Sequence, residues 1–325
     1  MKQRLSNIEL LRILAMLFIV IVHLDGAALG LPRPTGDASL LTARDWWRLA
    51  VESFSIVGVN CFTLISGYFG IRFNWRGLLN FTLECLFYSV LIYFVMIAAG
   101  HARWSWPTMI DVCRVYTHTD LWYVPAYLGL YLLSPFLNAA VTLMSRSRFT
   151  MLTLVFVLYN VWAGWLCEGR FNPTGYTVIQ LVMIYLVGRM LSLYNLRDVP
   201  RSLSLALYIA MAVVTVFMAV WLPSNMAFAY NSPVIIVQSV ALFVFFTGFE
   251  FISPTVNRLA AGSFAVYLIH KNPYVWVSYI VPSAVAMWRS LTLWQYTAWM
   301  LVVAVTIFIL SSLFDMARSK FLTVK

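Results

Sequence analysis

Charge is scarce in this chain: 10% of its 325 residues are Asp, Glu, Lys or Arg, while 62% are hydrophobic. A soluble domain carries about 25% charged and about 45–50% apolar residues. That shortage, with a mean hydropathy of +0.83, excludes an ordinary soluble fold and assigns the chain to the membrane proteins. Cysteine is scarce too. Cys61, Cys85, Cys113 and Cys167 show neither C-x-x-C nor metal-ligand spacing, so no zinc site or redox dithiol is expected. Cys61 and Cys85 fall inside apolar runs as small core residues. Cys113 and Cys167 map to the same side of the membrane, which leaves a disulfide between them open. No Pro-rich, Gly/Ser-rich or polar stretch is long enough for a linker, so a single domain over 1–325 is expected. The basic start (Lys2, Arg4) leads into an apolar run with no small-residue cleavage site before further runs begin, so that run reads as a retained span. Nor do the polar positions repeat, which weakens an inverted-repeat transporter reading.

What the chain has in abundance is apolar runs of roughly 18 residues or more, the length that crosses a bilayer as a helix. They fall near 8–24, 54–71, 78–99, 121–144, 149–167, 175–193, 203–222, 233–251, 263–282 and 292–314. The first is short, and Lys271 and Pro273 interrupt the ninth. The expected fold is all-α: a polytopic bundle of about ten transmembrane helices. With the N-terminus inside, 13 basic residues fall on the cytoplasmic side (Lys2, Arg4, Arg72, Arg76, Arg146, Arg148, Arg189, Arg197, Arg201, Arg258, Arg318, Lys320, Lys325). Seven fall on the other (Arg33, Arg44, Arg48, Arg103, Arg114, Arg170, Arg289). This asymmetry predicts that both termini are cytoplasmic. The net charge of +10 therefore reports topology and not a nucleic-acid surface. Two outer connections, near 25–50 and 100–119, carry "RDWWR" and "HARWSWP".

Ionisable residues inside such runs are costly and mark functional candidates. The first run, "NIELLRILAMLFIVIVHL", carries Glu9, Arg12 and His23. At about 100° per residue, Arg12 and His23 lie roughly 20° apart, and all three share a sector of about 80°, with roughly 16 Å along the axis between Arg12 and His23. The competing interpretation is an interfacial Glu9–Arg12 pair and a packing histidine. Asp25 points off this stripe. In "VNCFTLISGYFGIRFNWR", Asn60, Ser66 and Gly67 are polar or small within a span, and Arg72 and Arg76 follow its cytoplasmic end. Helix packing and ordinary topology charges explain them equally well. In "DLWYVPAYLGLYLLSPFLN", Trp122 and Tyr123 sit at the outer boundary, where aromatics commonly form a belt, and Ser134–Pro135 predicts a kink. In "GSFAVYLIHKNPY", His270 and Lys271 lie about 12 Å into a span. That depth predicts a wet or protein-lined cavity.

Taken in order, "ELLR…A…H", "F..ISGY", "LWY…Y.L.P" and "SF..YLIH" resemble the acyltransferase 3 family of integral membrane acyltransferases, across the whole chain. The likeness is greatest to the bacterial branch that O-acetylates surface and capsular polysaccharides. The resemblance implies a ten-helix domain in the bacterial inner membrane. It implies an acyl donor, usually acetyl-CoA, used as a co-substrate with no permanently bound cofactor, and a carbohydrate acceptor. Arg12 matches the family's first-helix arginine and His23 its essential histidine. Ser66 and Gly67 match the Ser-Gly pair of the second helix, and Ser263, Tyr267 and His270 the late motif. Glu9 stands where many relatives have Asp, and Ile13 where they have Gly; the stretch around Asp120 follows the pattern less closely.

A sugar hydroxyl attacks a thioester only when a base takes its proton, and histidine is poised for that near neutral pH. His23 is the expected general base, with Glu9 and Arg12 on the same stripe; an acyl-histidine intermediate is the open variant. Arg12, Arg72 and Arg76 are expected to hold the CoA phosphates, beside Ser66 and Gly67. Asn60, Trp122, Tyr123, Tyr267, His270 and Lys271 are the expected acceptor contacts. His23 lies about 22 Å beyond Ile8, which predicts a protein-lined path for the donor arm from the cytoplasmic end. Two rival classes remain. A secondary transporter would show helices broken in matching halves. A lipid-linked glycosyltransferase would offer paired acids in a large outer loop, whereas Asp37, Asp45, Asp111 and Asp120 are scattered.

Overall fold

The computed structural model describes residues 5–34, 36–117, 119–167 and 170–322. Lys2, Arg4 and Lys325, counted above for topology, lie outside the described residues. The described chain is helical, without strands. In order come α1 (Ser6–Ala27), α2 (Ala43–Phe69), α3 (Trp75–Ala98), α4 (Trp106–Cys113), α5 (Tyr123–Leu143), α6 (Arg146–Leu166) and α7 (Val178–Leu191). They are followed by α8 (Arg201–Trp221), α9 (Pro233–Thr247), α10 (Pro254–Ala261), α11 (Ser263–His270), α12 (273–290) and α13 (Leu293–Leu322). Among the described residues, seven helices are long and apolar enough to cross a membrane: α1, α2, α3, α5, α6, α8 and α13. The apolar helices α7 and α9 are shorter, and the ninth apolar run is divided between α11 and α12.

That division has a local cause. Pro273 has no N–H to continue α11, and the Asn272 side chain accepts from Tyr274 N at 3.1 Å, starting a new helix. The expected disturbance at Ser134–Pro135 is absorbed within α5, where the Ser134 hydroxyl donates to the Tyr131 carbonyl (2.7 Å) that Pro135 cannot serve.

One expected loop is a helix. Residues 43–55 begin α2 behind a capping box, in which Thr42 and Asp45 each bond the other's backbone N–H. All four cysteines are free, so Cys113 and Cys167 form no disulfide. The core is centred on α1, which packs against α2, α9, α10, α11 and α13. Its first turn is tied down on two sides: Ser6 Oγ donates to Asn257 Oδ1 (2.9 Å), and Asn7 Nδ2 to the Phe246 carbonyl (3.0 Å). Its last turn, His23–Ala27, widens into a π-helix, a form that recurs at functional sites.

Candidate active site

At that widening, His23 meets His270 from the end of α11: Nδ1 of His23 and Nε2 of His270 are 2.8 Å apart. His270 is buried, and its Nδ1 lies 2.6 Å from the Val266 carbonyl one turn back. A carbonyl only accepts, so His270 Nδ1 carries the hydrogen. In a neutral ring its Nε2 is then a lone pair, which accepts from His23 Nδ1–H. His23 is left with an unprotonated Nε2. The backbone of α11 thus fixes the tautomer of a ring on α1. Trp276 meets the His23 ring edge-on, with centroids 5.8 Å apart, and Lys271 Nζ sits 3.7 Å over the Trp276 ring.

Three cavities run along α1 past this pair. The inner one, of about 250 Å³, is lined by Arg12, Phe62, Ser66, Tyr123, Tyr127, Ser263 and Phe264, among others. The next is a neck of about 30 Å³, walled by Met16, Ile19, His23, Val59, Phe62, Trp122, Tyr123, Tyr230, Phe264 and Tyr267. That is room for about one water. The widest, about 610 Å³, is lined by His23, Gly26, Glu52, Asp120, Trp122, Tyr176, Tyr230 and Lys271, among others. It lies on the side that the arginine asymmetry assigns to the exterior. Phe62, Tyr123 and Phe264 are shared between inner cavity and neck; His23, Trp122 and Tyr230 between neck and outer cavity. Positions 12, 16, 19 and 23 of α1 form one helical stripe along this series.

Arg12 donates to Glu9 Oε2 through Nη1 (2.7 Å) and keeps a quarter of its side chain exposed, so the rest of its guanidinium fork faces a ligand-sized space. Ser66 lines the same space, its hydroxyl on the Phe62 carbonyl at 3.1 Å. Among the described residues no group of His, Cys, Asp and Glu is arranged to hold a metal ion.

Several residues expected at the site lie elsewhere. Asn60 is fully buried: its Nδ2 donates to the Tyr230 carbonyl (3.0 Å), and its Oδ1 accepts from Gln180 (3.3 Å). It supports a wall and is not among the residues lining the cavities. Gly67 faces α7, where an added Cβ would collide with the Tyr185 carbonyl, and Gly188 answers it across the crossing, its Cβ position 2.5 Å from the Leu64 carbonyl. That pair permits close helix approach, and Gly67 is not among the residues lining the Arg12 cavity. Arg72, in the α2–α3 connection, and Arg76, in the first turn of α3, are exposed and do not line the Arg12 cavity. Of the tryptophans in the two outer connections, Trp47, which lies within α2, donates to Thr297 (2.9 Å), and Trp104 stacks on Phe94. Trp122, Tyr123, Tyr267, His270 and Lys271 do come together around His23, on the cavities or in contact with its ring.

Sequence reasoning missed the acidic and basic residues of α2. Arg48 grips Asp25 through Nε (2.9 and 3.1 Å) and the Gly30 carbonyl through Nη2 (2.6 Å). One turn on, Glu52 is buried at the wall of the outer cavity. The i, i+4 spacing of Arg48 and Glu52 behind the Thr42–Asp45 box was the available signal.

The family model described as an acyltransferase domain matches residues 5–316. No curated protein and no solved structure matches the chain. The match covers nearly the whole chain and includes both histidines and the stripe of α1, so this multi-pass membrane protein belongs to the acyltransferase 3 family and is an acyltransferase.

Proposed function

We propose that the protein transfers an acetyl group from acetyl-CoA to a hydroxyl of a cell-surface or lipid-linked polysaccharide in a bacterial inner membrane, with His23 as general base. The observation that carries this reading is the His23–His270 hydrogen bond where the neck meets the outer cavity. A base there touches both spaces, one for each substrate.

In the proposed step, His23 Nε2 takes the proton of the sugar hydroxyl as its oxygen attacks the thioester carbonyl. The new C–O bond forms, the C–S bond breaks, and the imidazolium returns the proton to the leaving thiolate, giving CoA thiol and the ester. His270 Nε2 accepts from the charged His23 ring throughout and holds it in place. Arg12 binds the donor in the inner cavity, and Arg72 and Arg76 take the nucleotide phosphates outside it. Trp122, Tyr123, Tyr267 and Lys271 form the walls against which the acceptor and the acyl group lie.

The test uses membranes that contain the protein, radiolabelled acetyl-CoA and host polysaccharide. Base-labile label on the sugar, absent with His23→Ala, is the expected result; its absence with the wild-type protein overturns the reading. Sealed vesicles of both orientations, given donor on one face only, check the route. Transfer driven by donor solely on the outer face defeats the inner-to-outer path along α1.

A further inference from the structure

We propose that a second acceptor subsite adjoins the outer cavity, where Arg33 holds an anionic group, carboxylate or phosphate, on the sugar residue next to the one that receives the acyl group. The proposal rests on reading the outer cavity as the acceptor's site.

The outer cavity does not end at its own wall. Ser224 and Asn225 line it and also line a further space of about 490 Å³, bounded by Pro32, Arg33, Pro34, Trp221 and Pro223, among others. On the other side the chain passes from one space to the next: Leu31 stands in the outer cavity and Pro32 in its neighbour. Each is on the scale of a complete small-molecule site, about 300–1,000 Å³. With about 610 Å³ in the first, the two together are roomier than one sugar ring needs, and a chain lying in the first runs on into the second.

Among the described residues, Arg33 is the one charged residue that lines the second space, and it takes part in none of the ion pairs. Its guanidinium is always charged and offers a planar fork that fits a carboxylate or a phosphate. Exposed connections are ordinarily mobile, but this arginine has a stiff mount. Pro32 and Pro34 flank it, each with a locked φ, and a residue that precedes a proline is kept extended. The mount is tied at both ends. Arg48 holds the Gly30 carbonyl (2.6 Å), and the Gly36 N–H donates to the Val220 carbonyl (3.0 Å) in the last turn of α8. Trp221, the next residue, is 69% exposed and gives the space a broad apolar ring. A fixed positive charge, an exposed indole and the Asn225 amide at the junction are the parts that suit an acidic sugar residue.

The experiment measures binding of three probes to the full-length protein in phosphatidylcholine nanodiscs. They are cellobiose, cellobiuronate and cellobiose 6′-phosphate: one disaccharide that is neutral, or that bears a carboxylate or a phosphate at C6 of its second ring. The wild-type protein is expected to hold at least one acidic probe about three- to tenfold more tightly than cellobiose, the scale of a charge-assisted contact at a partly screened site. The probe that gains more identifies the anion. Arg33→Gln removes the charge and is expected to bring the affinities to within about twofold. Arg33→Lys keeps the charge without the fork and should retain part of the preference. Trp221→Ala should weaken all three probes alike. Thermal melts confirm that the variants are folded. A wild-type protein that binds no probe or prefers neither acid overturns the proposal, as does an Arg33→Gln ratio equal to wild type or a Trp221→Ala variant with unchanged affinities. Because binding is the readout, the two claims fail separately. A preference carried by Arg33 without any acetyl transfer overturns the proposed function alone, and transfer with an unmoved ratio overturns this proposal alone.

Discussion

Replacing His270 separates a working pair of histidines from a packing contact. In the proposed step the His23 ring becomes an imidazolium, and its Nδ1–H donates to His270 Nε2 over 2.8 Å. A hydrogen bond to a charged group contributes about 1.5–3 kcal/mol. If that bond strengthens only as charge develops, its loss slows the step by about 10- to 150-fold. His270→Leu fills much of the same volume and offers no acceptor, so it should show that full loss. His270→Gln offers an amide oxygen and should recover part of it. The assay is the initial rate of acetyl transfer in membranes, normalised to immunoblotted protein, with the acetyl-CoA KM determined for each variant. A leucine variant of normal abundance and wild-type kcat would return His270 to packing. Equal losses in both variants would show that the acceptor atom is irrelevant and refute the tautomer argument.

The remaining expectations divide along α1 and α2. His23→Ala should cut transfer by about 10²- to 10⁴-fold, the usual contribution of a general base, with membrane insertion and abundance intact; near-normal transfer by an abundant variant removes it from the chemistry. Arg12→Ala should raise the KM for acetyl-CoA, and Arg12→Lys should restore only part, because lysine keeps the charge without the planar fork. Full recovery would mean that a point charge suffices. Gly67→Ala should lower the melting temperature in detergent, at an overpacking cost of about 1–3 kcal/mol, because its Cβ meets the Tyr185 carbonyl. An unchanged melt with a raised donor KM would put Gly67 back at the donor site.

What the sequence discloses is what helical periodicity controls. Placing Glu9, Arg12 and His23 on one stripe needs only 100° per residue, and the structure has the Glu9–Arg12 pair and both Arg12 and His23 on the cavity series. Periodicity says which way a side chain leaves its own helix, but not which helix waits there. The His23–His270 contact spans 247 residues of sequence and depends on α11 packing beside α1. The start of α2 was hidden for a different reason. Arg44, Asp45, Arg48 and Glu52 lower its hydropathy to that of a loop, although Arg48 and Glu52 are both buried. Each has its own environment: Arg48 is ion-paired with Asp25, and Glu52 faces a cavity. The same blindness affects Asn60 and Gly67. Polar or small residues inside a span look alike in sequence whether they touch a ligand, a backbone carbonyl or another helix.

The narrowness of the neck bears on the chemistry. A thioester exposed to the wide outer cavity would meet water as readily as sugar, and water is a competing acceptor whenever a base is present. At about 30 Å³ the neck admits about one water, and the rings of Phe62, Tyr123, Phe264 and Tyr267 stand in its wall. On the proposed reading, a pantetheine arm reaches His23 only by parting these rings, and the arm then occupies the space that water would need. Donor binding and neck opening become one event, and the base is engaged when the acyl group is already beside it. On the same reading the rings move and α1 does not, since α1 is tied at Ser6 and Asn7 and again at Asp25. Donor entry then asks for movement of the rings that guard the base and none of the helix that carries it.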